Sequence, residues 1–156
     1  MLIRKAEIKD IDDILYLLRD VLELHVRIRP DIFESGHTKY TKEELINKLS
    51  EDNFYVYVGE ISKKVVAYAM CIIELPKFTH TMKKVKTMYI DDIEVNPEYR
   101  GQGLGRELFE YLKEEAKRLN CYNITLNEWE GNDGARKFYE KLGMKPQKTT
   151  LELILK

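Results

Sequence analysis

Residues 95–106 read Val-Asn-Pro-Glu-Tyr-Arg-Gly-Gln-Gly-Leu-Gly-Arg, and they join a strand pattern directly to a helix pattern. The helix is indicated by an apolar stripe at helical spacing, made of Leu104, Leu108, Leu112, Ala116 and Leu119. Glycines just before a helix let backbone N–H groups converge without interference from Cβ atoms, and the helix N-terminus adds partial positive charge. With arginines at 100 and 106, the stretch predicts a phosphate-binding turn that suits a diphosphate best. A tight turn that binds no ligand is the alternative.

Two common phosphate-binding loops do not fit this turn. A P-loop requires a glycine followed directly by Lys-Ser or Lys-Thr, and no glycine in this sequence is followed by either pair. The dinucleotide fingerprint requires Gly-x-Gly-x-x-Gly after the first strand, whereas the glycines here lie at 101, 103 and 105 and follow several strand patterns. The turn therefore belongs to a different kind of site.

The rest of the chain supplies the elements around this turn. Strands are predicted at residues 2–6, 53–60, 65–75, 88–95, 122–128 and 149–155. Helices are predicted at residues 11–25, 41–49, 103–119 and 132–142, with Asp10 and Thr41 as N-caps. Three consecutive strands favour antiparallel pairing, and the later strand–helix–strand unit requires a parallel pair. The expected fold is one three-layer α/β (α+β) domain over residues 1–156, a mixed, mostly antiparallel sheet with helices on both faces.

Composition excludes several functional classes. The 156 residues include 26 Lys and Arg against 27 Asp and Glu, so no large basic field is available for nucleic acid or an anionic membrane. No apolar run approaches the roughly 20 residues of a membrane span, and the N-terminus becomes charged too early for a secretory signal. Cys71 and Cys121 are expected to be reduced, and His25, His37 and His80 lack metal-ligand spacing with them. A cytoplasmic protein without a metal is expected.

Two motifs in the second half of the chain resemble those of the GCN5-related N-acetyltransferase family. Arg100-x-x-Gly103-x-Gly105 matches the family's Arg/Gln-x-x-Gly-x-Gly/Ala motif, and the preceding residues 89–95 are similar to the strand before it. A second, later element of the family is matched by Asn132-x-x-Ala135-x-x-Phe138-Tyr139-x-x-x-Gly143-Met144, with Met where Phe is commoner. The resemblance spans about residues 54–155. It implies an N-acetyltransferase that uses acetyl-CoA, with a parallel strand pair, 88–95 and 122–128, that splays apart.

The resemblance also implies how acetyl-CoA is bound. The backbone of Ile93 and Val95 would pair with the pantetheine arm as an added strand does, and N–H groups of residues 101–106 would hold the diphosphate. The side chain of Asn132 would reach the pantetheine or a water near it. The implied contact residues are Ile93, Glu94, Val95, Arg100, Gly101, Gln102, Gly103, Leu104, Gly105, Arg106, Asn132 and Ala135.

Catalysis requires one group that gives a proton and another that takes one. Tyr139 matches the family's general acid, which would protonate the departing CoA sulfur, although a tyrosine on a helical face also commonly packs in a core. The acceptor must lose a proton because an alkyl ammonium has a pKa of about 10. Water or one of five acids would take it, ranked Asp91, Asp92, Glu94, with Glu128 and Glu130 as further candidates.

The order of these acids follows from the family and from strand geometry. Polyamine acetyltransferases are similar here and have an acid at the position of Asp91. On a regular strand Asp91 shares a face with Ile93 and Val95, and Asp92 shares the other with Glu94, but a β-bulge would disturb this alternation. Solvated acids at a strand end, without a catalytic role, are the alternative.

The acceptor is expected to contact the segment after the first helix, as in the family. Candidate contacts are His25, Arg29, Phe33 and Glu128, with Arg27, Asp31, Tyr40 and Trp129 as further wall residues. The clustered acids favour a cationic amine, but basic residues in the same segments leave the acceptor open among polyamines, amino acids, aminoglycosides, protein N-termini and lysine side chains.

Three further expectations concern function and assembly. Asn127 stands where the branch that acetylates ribosomal-protein N-termini has Glu, so that branch's substrate is not carried over. A non-catalytic acyl-CoA-binding or sensing module is the alternative function. An edge strand such as 149–155 would allow a homodimer.

Overall fold

Five strands and four helices make up the protein in the computed structural model, which describes all 156 residues. In chain order they are β1 (Leu2–Lys5), α1 (Ile11–Ile28), α2 (Lys42–Lys48), β2 (Phe54–Ile61), β3 (Lys64–Glu74), β4 (Thr87–Val95), α3 (Leu104–Arg118), β5 (Asn123–Leu126) and α4 (Asp133–Lys141). Short 3-10 turns at Ile8–Asp10 and Pro97–Tyr99 precede α1 and α3. None of the helices combines the length and apolar character needed to cross a bilayer.

The sheet is mixed, as the sequence predicts. Its strand order is β1-β2-β3-β4-β5, with the first four strands antiparallel and only β4 and β5 parallel. Ser62 and Lys63, with φ of 50° and 65°, form the two-residue turn between β2 and β3. Such positive φ values match the right-handed twist of a hairpin.

Helices cover both faces of the sheet, and β3 contributes to both cores. Tyr68 and Met70 pack towards α1 and α2, whereas Ala67, Ala69 and Cys71 pack towards α3. The small alanines let α3 approach the sheet closely. The predicted three-layer arrangement is therefore confirmed.

One of the two predicted N-caps is confirmed. Thr41 Oγ1 accepts from Glu44 N–H at 3.1 Å, and Glu44 Oε1 accepts from Thr41 N–H at 3.1 Å, which is a complete capping box. Asp10, by contrast, does not cap α1. Its carboxylate instead accepts from Arg4 at 2.7 and 2.9 Å and from Glu7 N–H at 2.8 Å, because it is buried and needs a charged partner.

The predicted strand 149–155 is wrong, and β5 is shorter than predicted. No backbone group of residues 145–156, here called the C-terminal arm, makes a hydrogen bond. A strand exists only with a ladder partner, and no strand of this chain pairs with the arm. The strand β5 ends at Leu126 because β4 and β5 diverge beyond the pair Ile90–Leu126.

Candidate active site

An opening lies between the two parallel strands. Pairing of β4 with β5 runs from Thr87–Asn123 to Ile90–Leu126 and then stops, while β4 continues to Val95 paired with β3 alone. Residues 91–95 therefore present an unpaired strand edge on the side of β5. The splayed pair that the family resemblance implied is present in the structure.

A β-bulge in β4 sets the direction of the acids. Cys71 of β3 pairs with Ile90, and the preceding Met70 pairs with Asp92, so Asp91 is the extra residue. Beyond the bulge, Ile93 and Val95 pack on the α3 side, as Ile90 does before it. The acids Asp92 and Glu94 consequently share the face of α1, and the bulge that the sequence analysis allowed for is observed.

The glycine turn leads from β4 into α3 with its backbone donors free. Gly101 and Gly103 have φ of 79° and 78°, a conformation that other residues rarely adopt. None of the N–H groups of residues 101–106 donates a hydrogen bond within the chain, and the N-cap Gly103 offers no side chain to the first turn of α3. Six unpaired donors at a helix N-terminus suit an anion.

Two side chains cover part of the open edge of β4. Val95 N–H donates to Glu94 Oε1 at 3.1 Å, and Val95 C=O accepts from Arg100 Nε at 3.3 Å. Arg100 and Glu94 also form an ion pair. Because the Arg100 side chain is 55% exposed, it can turn outwards and release these backbone groups to a ligand.

Tyr139 lies in α4 with its ring against Phe109 and Phe138, at centroid distances of 6.4 and 5.1 Å. Its hydroxyl makes no hydrogen bond within the chain. Burial, and then the charges of Asp92, Glu94 and Glu128, raises the pKa of Tyr139 above its usual value. The phenol therefore keeps its proton at neutral pH and lies near the acids.

Asp92 is the acid with the most altered environment. Burial raises its pKa to about 6, with Asp91 and Glu94 adding to the rise and Lys39 opposing it. On the adjacent strand, Tyr68 is fully buried and its hydroxyl has no hydrogen-bond partner. A carboxyl group with a pKa of about 6 can hold or release a proton near neutral pH.

Asp91 differs from Asp92 because its carboxylate is already engaged. Its Oδ2 accepts from Tyr40 Oη at 2.6 Å, and its Oδ1 lies 3.1 Å from Lys39 Nζ. Lys39 also donates to the carbonyl of Asp91 at 3.0 Å. These contacts tie the bulge to the segment before α2.

Comparisons with known proteins agree with this geometry. The model of the acetyltransferase (GNAT) family matches residues 18–144. The chain belongs to the GNAT family. It is 30% identical over 148 residues to thialysine N-epsilon-acetyltransferase of Bos taurus, covering 92% of this chain and 83% of that protein. It is also 33% identical over 100 residues to glucosamine 6-phosphate N-acetyltransferase of Trypanosoma brucei brucei, covering 64% of each chain.

A solved structure of similar shape comes from Bacillus halodurans. The crystal structure of a mutant protein from that organism aligns with a TM-score of 0.94 and 33% identity, covering 99% of both chains. The alignment therefore takes in the C-terminal arm as well as the sheet and helices. The fold of this chain thus matches that structure over 99% of its length, and the GNAT family model covers residues 18–144 of it.

Three of the predicted acceptor residues, His25, Arg29 and Phe33, lie in one cluster with Trp129. His25 and Phe33 rings lie 5.1 Å apart, and Phe33 meets Trp129 edge-on at 5.4 Å. Arg29 lies over the Trp129 ring at 5.6 Å and pairs with Asp31. Tyr40 stands apart from this group, beside Asp91.

Glu128 lies two residues beyond the end of β5, next to Trp129 in the chain. Its Oε1 pairs with Arg136 Nε, whereas its Oε2 is buried without a hydrogen-bond partner. Asn132 Oδ1 accepts from Ala135 N–H at 3.3 Å and so caps α4, which leaves its amide nitrogen free. Asn127 donates to Tyr89 Oη at 3.3 Å, away from any basic role.

Three site residues were missed from the sequence. Lys39, Tyr68 and Arg136 each touch or neighbour a predicted acid. Strand alternation could have placed Tyr68 on the face of Asp92 and Glu94. Nothing local marks Lys39, because its partner Asp91 is 52 residues away in the chain.

Gly105 lies close to Phe138 of α4, whereas Gly134 has free space around it, so the same substitution should affect the two glycines differently. A Cβ at Gly105 would lie 3.2 Å from Phe138 Cζ, whereas one at Gly134 would meet nothing within 4 Å. We expect Gly105→Ala to lower the melting temperature by about 2–4 °C and to raise the KM for acetyl-CoA, because crowding at Phe138 costs about 1–3 kcal/mol and exceeds the helix gain.

Gly134→Ala is the matched control for this pair. It adds the same methyl group in a helix with free space, and we expect it to raise the melting temperature, since Ala is about 0.4–1 kcal/mol better than Gly there. Thermal unfolding shows whether each variant melts below or above the wild type. A Gly105→Ala protein as stable as Gly134→Ala would show that Phe138 does not constrain the turn.

Proposed function

We propose that the protein transfers an acetyl group from acetyl-CoA to a primary amine by direct attack in a ternary complex. The observation that carries the proposal is the set of six unpaired backbone N–H groups of residues 101–106, beside the unpaired edge of β4. The first suits a diphosphate, and the second suits an extended amide chain. Acetyl-CoA contains both.

Different residues of this chain would bind different parts of acetyl-CoA. The turn 101–106 would hold the diphosphate, with the exposed charges of Arg100 and Arg106 nearby. Ile93 and Val95 would pair with the pantetheine arm, and this requires Arg100 and Glu94 to release the backbone of Val95. The free amide nitrogen of Asn132 would meet the same arm.

Acetyl-CoA supplies the acetyl group: the amine nitrogen forms a bond to the thioester carbon, and the bond from carbon to sulfur breaks. Tyr139 would donate its proton to the departing sulfur, since its phenol is protonated at neutral pH and its hydroxyl makes no hydrogen bond within the chain. Burial also raises the pKa of Cys71 to about 12, which makes this thiol a poor nucleophile and favours direct transfer.

We propose Asp92 as the group that takes the proton of the amine, ahead of Asp91. The carboxylate of Asp91 is held by Tyr40 and Lys39, which lowers its availability. Asp92 has a pKa of about 6, and its charge acts on Tyr139. A base with a pKa near the working pH is the most effective.

The acceptor that this opening suits best is a cationic amine. Three cations near the opening are already paired: Arg29 with Asp31 and Glu152, Lys39 with Asp91, and Arg136 with Glu128. Glu128 Oε2 is buried and lacks a donor, and an ammonium group would supply one. These features favour an amine such as thialysine, which the bovine relative's name gives, over a sugar phosphate, which the trypanosomal one gives.

A thiol-release assay with acetyl-CoA tests this function. We expect turnover with a panel of lysine, thialysine and spermidine, and a kcat/KM for the best of these about tenfold or more above that for glucosamine 6-phosphate, equivalent to about 1.4 kcal/mol. A preference for glucosamine 6-phosphate would contradict the cationic acceptor but keep the enzyme class. A rise in melting temperature with CoA and no turnover on any amine would favour the non-catalytic sensing module instead.

The proposal extends to location and assembly. Cys71 and Cys121 are both free, which fits the reducing cytoplasm where acetyl-CoA is used. We propose that the enzyme acts there as a homodimer, because the C-terminal side of the sheet exposes apolar side chains that a second copy could cover.

A further inference from the structure

Tyr68 is a buried tyrosine that the proposed chemistry does not use. It lies at the centre of the buried run Val65 to Cys71 of β3, and its side chain has no exposed surface. Its hydroxyl nevertheless makes no hydrogen bond within the chain. A buried hydroxyl without a partner costs free energy, so the position of this one requires an explanation.

The register of the sheet places Tyr68 beside the acids of β4. Tyr68 pairs with Glu94, and Met70, the next residue of β3 on the same face, pairs with Asp92. Tyr68 and Met70 pack towards α1, which is the face that the two acids share. A diagonal neighbour across an antiparallel pair lies about 7–8 Å away, within reach of an aromatic side chain. The hydroxyl of Tyr68 can therefore serve either acid.

Asp92 is the acid that needs this hydroxyl. Glu94 already accepts from Val95 N–H at 3.1 Å and forms an ion pair with Arg100. No comparable contact holds the carboxyl of Asp92, although burial raises its pKa to about 6. A carboxylate that forms in a buried site requires a donor. Tyr68 offers one from the adjacent strand.

The charged and titratable groups around Asp92 and Glu94 leave no better donor. They are Asp91 of β4, Lys39 before α2, Asp20 of α1, Arg100 after β4 and Tyr139 of α4. Burial and the neighbouring acids raise the pKa of Asp92, whereas Lys39 and Tyr68 lower it. Because Lys39 is itself paired with Asp91, Tyr68 is the group left to bind the ionised Asp92.

We propose that Tyr68 is a positioning residue for Asp92, to whose carboxylate its hydroxyl donates once that acid has lost its proton. Rotation of the carboxyl group brings one oxygen to the hydroxyl and leaves the other for the proton of the acceptor amine. A hydrogen bond that only the ionised form receives also lowers the pH at which Asp92 becomes a base. The inference rests on the role proposed for Asp92 in catalysis.

The rate profile of Tyr68→Phe tests this role, because a merely structural tyrosine would not change its shape. We expect Asp92 to titrate about one pH unit higher in the variant, since the variant lacks the donor. The ratio of its kcat/KM to that of the wild type cancels the ionisation of the acceptor itself. This ratio should be about 0.2 at pH 6 and should return to about 1 by pH 9.

Tyr57→Phe is the matched control. Tyr57 is equally buried, but it packs towards α3, and its hydroxyl donates to Glu115 Oε2 at 2.9 Å. Because Arg118 holds the pKa of Glu115 below its usual value, the rate ratio for this variant should stay constant between about pH 5 and pH 9. A ratio for Tyr68→Phe that is equally constant would overturn the proposal.

Denaturant unfolding detects the same pair without relying on catalysis. Tyr68→Phe should lose stability relative to the wild type as the pH rises from about 6 to about 7, because its folded state keeps the Asp92 proton longer. The folding equilibrium constant should fall by about tenfold for a shift of one pH unit, and this loss should vanish when both proteins also carry Asp92→Asn. An Asp92→Asn enzyme with wild-type rates would contradict the proposed base, whereas a stability difference that does not change with pH would overturn the pairing with Tyr68.

Discussion

Replacing Tyr139 by Phe is expected to lower kcat by about 10²–10⁴-fold, the range that a well-placed general acid contributes. The substitution removes only the hydroxyl, which makes no hydrogen bond within the chain, so packing against Phe109 and Phe138 is retained. We therefore expect the melting temperature and the Kd for CoA to stay close to those of the wild type. Steady-state thiol release and calorimetric CoA binding measure the two effects separately.

Tyr111→Phe is the matched control for this substitution. Tyr111 packs on the same side of the sheet, against Tyr57, and the charges that act on its hydroxyl are those of Glu115 and Arg118. We expect its kcat to equal that of the wild type. A Tyr139→Phe enzyme with wild-type kcat would contradict the general-acid role. Tyr139 would then be a packing residue on its helical face, and another donor or water would protonate the sulfur.

Local patterns in the sequence predict most of the fold. The N-cap at Thr41 and the amphipathic stripe of α3 each depend on residues within a few positions, and each is present as predicted. Asp10 was assigned wrongly because two signals compete. Its position before a helix favours an N-cap, but its burial beside Arg4 determines its partner.

The prediction of a strand at 149–155 fails for a different physical reason. Its alternation of Leu with other residues is a strand pattern, and the pattern holds only where a neighbouring edge supplies hydrogen bonds. Within one chain no such edge meets the arm.

The glycine turn could be located from sequence, but the ranking of the acids could not. The strand end and helix start that surround Gly101, Gly103 and Gly105 are local features. The pKa of Asp92, however, depends on burial between elements and on Lys39, which lies 53 positions earlier. A one-residue bulge further decides which way each acid points. Long-range packing, which no local pattern encodes, therefore sets the chemistry of the site.

Replacing Asp92 by Asn is expected to lower kcat/KM by at least about 10²-fold and, at the same time, to stabilise the fold. Burial raises the pKa of Asp92 to about 6 from the ordinary 3.8, so the folded protein favours the neutral form. Above pH 6 the wild type must hold a buried charge, which costs on the order of 1–3 kcal/mol at about 1.4 kcal/mol for each unit of pKa. Asn is neutral at every pH and avoids this cost.

The effects of Asp92→Asn on stability and on kcat/KM should both depend on pH. Between about pH 4 and pH 6 the unfolded chain has lost the Asp92 proton while the folded chain keeps it, so wild-type stability falls relative to Asp92→Asn as the pH rises through this window. Above pH 6 the difference is constant, and below pH 4 it vanishes. Wild-type kcat/KM should rise through the same region, because only the carboxylate accepts a proton. Denaturant unfolding and rate profiles at matched pH values measure the two curves.

Asp91→Asn distinguishes the two neighbouring acids. Asp91 contacts Tyr40 and Lys39, so its loss should loosen the segment before α2, lower stability and raise KM, with a smaller effect on kcat. The opposite pattern, a larger loss of kcat in Asp91→Asn than in Asp92→Asn, would make Asp91 the proton acceptor. An Asp92→Asn protein that is less stable than the wild type at pH 8 would show that the Asp92 carboxylate is stabilised by partners, and its raised pKa would then not describe the folded enzyme.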